Sequence, residues 1–340
     1  MRLMKGKKLR ATSHTVAKLA GVSRSAVSRT FTPNASVSQK TKLKVMAAAN
    51  KLGYRPNFMA QSLITKKTHL IGLIMADWDN PYYASTLRSY GEKLQKEGYQ
   101  VILVTVNKKS AISDSINFLL QYQVEGIIML SIIPSQEMTS LCDNKDTPIV
   151  LVGDSSNKIQ ICNVNVDHKA IGTNLANLAL DLGYKRIVLI RGNKKLKSSV
   201  IRIDAFKKVL KKQDRGKIIA NLTGILGHDQ GRKAMKDIMK LKPKPDLVLC
   251  SSDLTALGIL DGATTDFNLD VPKDLAIIGF GDAPISSWGM NRLTTVQLPT
   301  QIMIDESIDC LFHQIKNPHD KAKSIMLNST IILRDTTKKL

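Results

Sequence analysis

Short apolar runs alternate with amphipathic stretches from about residue 69 to the end of the chain. Seven of these runs predict buried parallel strands: HLIGLIMA, VILVTV, GIIMLS, PIVLVG, RIVLIR, DLVLCSS and LAIIGFG. Between them, helical spacing of apolar residues predicts helices over 83–97, 113–122, 170–182, 198–212, 230–239 and 255–265. This alternation predicts doubly wound parallel sheets, and about eight or more strands over this length fit two lobes better than one.

The first sixty residues follow a different pattern, with three short helices and clear capping residues. The helices are predicted over Ser13–Ala20, Arg24–Thr30 and Gln39–Leu52, with Thr12, Ser23 and Ser38 as N-caps and Gly53 at the end of the third. Gly21 supplies a tight turn between the first two helices. Two short helices packed closely across such a turn are typical of a helix-turn-helix unit.

Charge separates this module from the rest of the chain. Residues 1–67 hold 15 Lys or Arg and no acidic residue, and the first acidic residue is Asp77. Residues 68–340 hold the other 35 basic residues and all 28 acidic ones. A general lysine bias is the alternative explanation, but it would not remove every acid from the first 76 residues. The acid-free module therefore predicts a polyanionic partner, most simply nucleic acid.

The second helix has a polar outer face formed by Arg24, Ser25, Ser28 and Arg29. A recognition helix places its first residues against base edges in the major groove. An arginine there donates two hydrogen bonds to guanine, which contributes about 1–3 kcal/mol of discrimination. Hydroxyl side chains around the helix suit phosphate contacts, at Thr12, Ser23, Thr32, Ser36, Ser38 and Thr41. Each of them has an alternative interpretation as a cap or a solvated surface residue.

Three segments of the module carry one family pattern in order. TVAKLAGVSRSAVSR, VSQKT and LGYRPNFMAQSL follow V-A-x-x-A-G-V-S-x-x-T-V-S-R, V-S-x-x-T and L-G-Y-x-P-N-x-x-A-x-x-L. On these residues the chain resembles the LacI/GalR family of transcriptional regulators. The departure is Ala26, where threonine is usual, and it puts one backbone contact in doubt.

The resemblance implies a hinge helix over Phe58–Ile64 that folds only on operator DNA. Leu63 matches the apolar wedge that opens a base step in the minor groove and kinks the duplex. A helix of this length is marginal in water by itself, so its formation would depend on a partner. The alternative is an ordinary linker. The predicted DNA-binding set is completed by Ser13, Tyr54, Asn57 and Ala60.

Later segments are similar to the same family: ADWDNPYYASTLRS, VNVDHKAIGTNLANLALDLGYKRIVLI, SSVIRIDAF, SSDLTALGIL and IGFGDAPISSW. This similarity implies a two-lobed sensor with the fold of periplasmic sugar-binding proteins and an effector in the cleft. By position, Asn80, Tyr82 and Tyr83 line the cleft from the first lobe. Arg202 matches the arginine that holds effector hydroxyls or carboxylates, with a surface ion pair as the alternative.

Three strand-end residues complete the expected effector-binding set, Ser252, Asp253 and Asp282. Asp253 has an alternative role as a helix N-cap, and Asp282 as a cap of the next segment. The family's effector-contacting acid lies one position before Asp282, where this chain has Gly281, and Ser252 stands where asparagine is frequent. Trp288 would either stack on a sugar ring or belong to a dimer interface. The effector is therefore not identified by the sequence.

The fold class predicted is an N-terminal all-α helix-turn-helix domain followed by a two-lobed α/β periplasmic-binding-protein-like domain. The DNA-binding domain is expected at 1–57, with 1–10 as a basic tail, and the hinge at 58–67. The effector-binding domain then covers 68–340. Its first lobe is expected at about 68–163 and 294–323, and its second at about 164–293 and 324–340.

Catalytic and cofactor signals are missing from the sequence. The four widely spaced cysteines predict buried side chains, and P-loop, G-x-S-x-G, G-x-G-x-x-G and H-E-x-x-H motifs do not occur. We therefore expect neither a metal nor a cofactor, and no enzymatic activity. A secretory signal and an 18-residue apolar run are also lacking, so a cytoplasmic location is expected.

The sequence thus predicts a homodimeric transcription regulator, most simply a repressor. It would bind a near-palindromic operator, and a sugar, sugar acid or related metabolite would control its affinity for DNA. The C-terminus ILRDTTKKL has no heptad pattern, which favours a dimer over a tetramer. Two alternatives are a solute-binding protein and a sugar-converting enzyme with an accessory DNA-binding module.

Overall fold

The computed structural model describes residues 11–32, 35–56, 62, 67–75, 80–106, 111–132, 147–153, 161–192 and 196–339. The chain divides into two compact units, Met1–Thr68 and His69–Leu340. No described helix is long and apolar enough to span a membrane.

The described helices of the first unit are α1 Ser13–Ala20, α2 Arg24–Phe31 and α3 Gln39–Leu52. The three predicted starts are confirmed, and α2 extends one residue further than the sequence predicted. Each helix begins with a side-chain cap, because the hydroxyls of Thr12, Ser23 and Ser38 accept bonds from the backbone N–H three residues later. Gly21 and Gly53 end α1 and α3 with φ of 65° and 61°, a conformation that favours glycine.

The core of this unit is small and made from short side chains. Val16, Val27 and Val45, one from each helix, are fully buried. Four alanines of α1 and α3 surround them, which allows the helices to approach closely. The ring of Tyr54 packs edge-on against Phe31, with 5.8 Å between their centroids, and closes the core on one side.

The second unit contains twelve described strands in two six-stranded sheets. The strands are β1 Leu70–Met75, β2 Gln100–Thr105, β3 Gly126–Leu130, β4 Ile149–Val152, β5 Cys162–Val166, β6 Arg186–Arg191, β7 Lys217–Thr223, β8 Leu247–Cys250, β9 Ala276–Gly281, β10 Thr294–Gln297, β11 Ser324–Leu327 and β12 Thr330–Ile332. Their helices are α4 Pro81–Lys96, α5 Ala111–Gln121, α6 His168–Asp181, α7 Lys197–Gln213, α8 His228–Ile238, α9 Asp253–Asp261 and α10 Thr300–Lys316.

The first sheet has the order β11-β5-β4-β3-β1-β2, and the second has the order β12-β10-β9-β8-β6-β7. All described pairings are parallel except that of β10 with β12. Every residue of the central strands β3, β4 and β8 is buried. Burial on both faces explains why these strands are continuous apolar runs and confirms the predicted parallel sheets.

The strand pairings correct the expected lobe boundaries. Thr294–Gln297 pairs with β9 in the second sheet, whereas Ser324–Leu327 pairs with β5 in the first. The boundaries at 294 and 324 assigned these two strands to the opposite lobes, and the boundary at 163/164 cuts through β5. Short strands with mixed burial carry little local information, so their tertiary partner decides which sheet they join.

Several elements were not predicted. The strands β5 and β7 carry asparagines between their apolar residues, and α10 follows a proline without a side-chain cap. The helix α10 packs against β3, β4 and β5 and covers one face of the first sheet. Cys162, Cys250 and Cys310 are buried as predicted, and Cys142 lies outside the described residues.

Candidate functional site

The outer face of α2 is polar and basic. Arg24, Ser25, Ser28 and Arg29 are exposed, while Val27 points into the core between them. The burial of Val27 therefore fixes which side of the helix faces outward. Two guanidinium groups and two hydroxyls on one short helix are suited to contact base edges and phosphates of a duplex.

Hydroxyl groups around α2 already take part in local hydrogen bonds. Besides the three caps, Ser25 bonds to Ser23, Thr41 to Ser38, and Thr32 donates to the Ser28 carbonyl. Ser36 is exposed and Ser13 is half-buried at the start of α1. Tyr54 is also half-buried, because its ring packs on Phe31. The predicted contacts Asn57, Ala60 and Leu63 lie outside the described residues.

A cavity of about 400 Å³ opens at the carboxyl ends of strands from both sheets of the second unit. Ser131, Gly153 and Val166 line it at the ends of β3, β4 and β5. Gly192 and Ser251 line it at the ends of β6 and β8. This is the position where open α/β sheets bind ligands, and the volume is in the usual range for small-molecule sites.

On the first-sheet side, α4 brings Asn80, Tyr82 and Tyr83 to the cavity wall, as the sequence predicted. The Asn80 side chain caps α4 by accepting a bond from the Tyr82 backbone N–H at 3.1 Å. The Tyr82 hydroxyl accepts a bond from Thr300 of α10, and the Tyr83 hydroxyl bonds to Ser131. Burial raises the pKa of Tyr82, so its hydroxyl stays protonated. These fixed hydroxyls are available to bind a polar ligand.

On the second-sheet side, Arg202 of α7 lines the cavity and is 8% exposed. Its guanidinium lies over the Phe280 ring, 3.7 Å from the centroid, in a cation–π contact. Burial, and then the nearby charge of Arg191, lower the Arg202 pKa to about 10. The alternative of a surface ion pair is wrong, because Arg202 is buried. Ser252 also lines the cavity while it caps α9.

The two predicted carboxylates have other partners. Asp253 is 1% exposed, and it accepts bonds from the Ala283 backbone N–H at 2.7 Å and from the Thr295 hydroxyl. Asp282 pairs with Arg334 at 2.7 Å and accepts a bond from Gln297. Neither belongs to the described cavity lining, and neither is a cap, because the N-caps of the segments that follow are Ser252 and Ala283. Both tie loops of the second sheet together.

His168 is a lining residue that the sequence did not single out. His168 is the first residue of α6 and follows strand β5, which was not predicted. A correct prediction of β5 would have placed His168 at a strand end and made it a candidate for ligand binding. The ring is 7% exposed, and both of its nitrogens lack a hydrogen-bond partner among the described residues. Burial and the charge of Arg202 lower its pKa to about 3. The ring is therefore neutral and can donate one hydrogen bond.

This lowered pKa makes the fold sensitive to acid. Below pH 6.5 the unfolded chain takes up a proton on His168 that the folded protein does not bind, so stability falls as the pH decreases toward 3. At pH 5 the contribution is about 2 kcal/mol. We expect His168→Gln to reduce the difference in unfolding free energy between pH 7.5 and pH 5 by this amount, measured by urea titration. The exposed His319→Gln serves as a control, and an equal pH difference in wild type and His168→Gln would contradict the assignment.

A metal site is not formed by the described residues, which contain no group of three His, Cys, Asp or Glu side chains placed to hold an ion. The polar part of the cavity lining consists of arginine, histidine, asparagine, tyrosine and hydroxyl side chains, set among apolar ones. Such groups hold a small polar ligand by hydrogen bonds and charge.

Two family models match the chain. Residues 13–57 match the model of bacterial regulatory proteins of the lacI family, and residues 176–337 match a periplasmic binding protein-like domain. Similar proteins include catabolite control protein A of Staphylococcus aureus (strain Mu50 / ATCC 700699), 29% identical over 329 residues that cover 96% of this chain and 99% of that protein. The ribose operon repressor of Escherichia coli (strain K12) is 28% identical over 329 residues, 95% of this chain and 99% of that protein.

Solved structures with the same fold include two with ligands named in their descriptions. The crystal structure of the lac repressor dimer bound to operator and the anti-inducer ONPF has a TM-score of 0.86 at 25% identity, covering 97% of this chain and 99% of that one. The complex of the transcriptional regulator CelR with cellobiose has a TM-score of 0.70 at 25% identity, covering 96% and 100%. The likeness in each case extends over both units of the chain.

Proposed function

We infer that this chain is a member of the LacI family of bacterial regulatory proteins, a repressor that binds operator DNA and is controlled by a small-molecule effector. The observation that carries this function is the acid-free first unit with the exposed basic face of α2. The family model covers this same segment. The cavity of the second unit supplies the effector site.

The protein acts on DNA as a homodimer. Its relatives include a repressor described as a dimer on its operator. A two-fold symmetric protein presents two recognition helices, so the operator is near-palindromic with half-sites one helical turn or a multiple apart. The exposed Trp288 and Met290 are apolar residues available for the contact between subunits. We place the protein in the cytoplasm, where its DNA lies.

Effector binding changes DNA affinity through the two sheets of the second unit. The cavity takes its lining from the strand ends of both sheets, so a ligand that contacts both favours one angle between the lobes. The hinge at 58–67 then transmits this change to the DNA-binding unit. A coupling of about 1–3 kcal/mol would alter operator affinity about 5–150-fold. The function rests on binding and not on turnover.

Arg24→Ala tests the assignment of α2. We expect the variant to lose preference at one operator position, with about 5–150-fold weaker binding to the best operator, because one bidentate contact to guanine is lost. The operator is first obtained by selection from a random-sequence duplex library. Affinities for the operator and its single-base variants are then measured by fluorescence anisotropy.

The matched control is Lys18→Ala, which removes one exposed positive charge from α1 of the same unit. It should weaken binding to all duplexes alike and decrease the salt dependence. If Arg24→Ala also weakens every duplex equally, α2 does not read bases. If the wild-type protein binds no duplex at any ionic strength, the repressor function itself is wrong and the solute-binding alternative is favoured.

A further inference from the structure

Two buried arginines lie together beside the cavity, and no described carboxylate pairs with either of them. Arg191 is the last residue of β6, and Arg202 lies on α7; they are 9% and 8% exposed. Neither forms an ion pair within the part of the chain that the structure describes, although nine other described basic residues do. Burial of a cation without a counter-ion is costly, so these two charges need another explanation.

The surroundings of Arg191 leave part of its guanidinium unsatisfied. Its Nε donates a long bond of 3.4 Å to the Ser199 hydroxyl, while Nη2 is buried without a partner among the described residues. Ser199 and the adjacent Gly192 both line the cavity. Arg191 thus stands directly behind the wall, and its charge acts on the same space as Arg202. The depressed Arg202 pKa is consistent with this proximity.

Much of the remaining described wall is apolar, and its polar side chains add hydrogen-bond donors and no negative charge. His168 is neutral and has two unpartnered ring nitrogens, and Ser198 and Ser199 add hydroxyls on the same side. Within the described lining there is no Asp or Glu to neutralise Arg202. The described lining therefore carries a desolvated positive charge that a ligand can neutralise.

We propose that the effector of this protein is an anion, whose carboxylate or phosphate group binds at Arg202 with Arg191 as a second cation behind it. This inference rests on the proposed function, because it assigns the chemical class of the ligand in the same cavity. The remainder of the ligand lies against Tyr82, Tyr83 and Asn80, whose polar groups suit a hydroxylated body. A charge-assisted bond to a desolvated guanidinium is stronger than one to a neutral hydroxyl, so the anionic group dominates affinity.

The test compares anions with neutral molecules of the same skeleton. The probes are D-gluconate against D-glucitol, D-galacturonate against D-galactose, and D-glucose 6-phosphate against D-glucose, with inorganic phosphate as the smallest anion. Their binding to the full-length protein without DNA is measured by calorimetry and thermal shift at constant ionic strength. We expect at least one anion to bind at least about tenfold more tightly than its neutral counterpart. Comparison of the carboxylate probes with the phosphate probes shows which of the two anionic groups the site prefers.

Variants then locate the anion. Arg202→Gln should abolish the preference for the anion, and Arg191→Met should reduce it about tenfold. Lys207→Gln, which removes an exposed charge from the same helix, should leave it unchanged. Arg202→Lys retains the positive charge and should preserve part of the preference for the anion over its neutral counterpart. It replaces Arg202→Gln if the Arg202→Gln protein does not fold.

Arg191→Met also separates a ligand site from a structural role. Removal of a buried, unpaired charge should raise the melting temperature of the ligand-free protein by about 2 °C while anion affinity falls. A lower melting temperature with unchanged anion affinity would overturn the role of Arg191. The proposal as a whole is overturned if neutral molecules bind as tightly as their anions, or if no anion binds, phosphate included. Duplex binding, measured on the same preparation, decides the repressor function independently of either result.

Discussion

Replacement of Val27 by aspartate is expected to abolish DNA binding while the second unit stays folded. Val27 is fully buried at the centre of the three-helix core, on the inner side of the helix that carries Arg24 and Arg29. A carboxylate at this position would have no partner, since the described core of the unit is made of valine, alanine and aromatic side chains. An unpaired buried charge costs several kcal/mol, which is comparable to the whole stability of so small a core.

The loss should be large because each operator complex needs two folded modules. The apparent affinity for the operator is proportional to the fraction of DNA-binding units that are folded. In a dimer this fraction enters once for each subunit. We expect at least about a hundredfold weaker operator binding, measured by fluorescence anisotropy. The melting transition of the second unit should be unaffected, because it has its own cores.

Leu43→Asp provides the matched control for this experiment. Leu43 lies on α3 of the same unit, and its side chain is 64% exposed. The same charge is introduced there without burial, so the unit should remain folded and bind DNA only a few times more weakly. If Val27→Asp retained operator binding close to that of Leu43→Asp, the three-helix core would not be the support of the DNA-binding face.

Gly172→Ala should destabilise the second unit and weaken effector binding together. A Cβ atom at Gly172 would lie 2.0 Å from the backbone carbonyl oxygen of Arg202, and 3.0 Å from the Ala205 side chain. The helices α6 and α7 therefore have to move apart, and a shift of α7 displaces Arg202 from the cavity. We expect a loss of about 3 kcal/mol in unfolding free energy and a melting temperature lower by about 6–10 °C.

The control for this prediction is a glycine in a helix with free space around it. Gly91 lies in the interior of α4, and a Cβ there would meet no atom within 4 Å. Alanine is the better helix former, so Gly91→Ala should stabilise the unit by about 0.5–1 kcal/mol. Differential scanning calorimetry should show a lower stability for Gly172→Ala and a higher stability for Gly91→Ala. Opposite signs would establish that the steric contact at Gly172 causes the destabilisation. Equal changes at both positions would refute it.

Local sequence determined the first unit almost completely. Each helix begins at a hydroxyl side chain that bonds back to its first turn, and α1 and α3 end at glycines with positive φ. These signals act within four residues, so they are readable without knowledge of the fold. The same holds for the central strands of both sheets, because burial on both faces requires a continuous apolar run.

The assignment of strands to sheets was beyond the sequence. β10 and β11 are four-residue strands, and each joins the sheet opposite to the one expected. Nothing local distinguishes the two sheets for such short segments. Their position is decided by the edge that is free once the longer strands have packed, since pairing in a sheet depends on non-local partners.

The candidate site divides in the same way. Asn80, Tyr82, Tyr83 and Arg202 were expected from the resemblance to the LacI/GalR family, and Ser252 from its place at a strand end; all of them line the cavity. Asp253 and Asp282 also lie at strand ends, but Asp253 bonds to Thr295 of β10 and Asp282 pairs with Arg334 beyond β12. A strand end places a side chain near the cleft, and only the neighbouring loops decide whether it faces the ligand.

The amino-acid sequence by itself determined the helix-turn-helix unit, the parallel α/β class and the charge contrast between the two, because caps, apolar runs and charges are local properties. Only the tertiary structure decided that His168 and Arg191 stand beside Arg202 without acidic partners among the described residues, and that Gly172 must lack a side chain. Charge and space in the cavity are set by residues far apart in the chain that packing brings within contact distance.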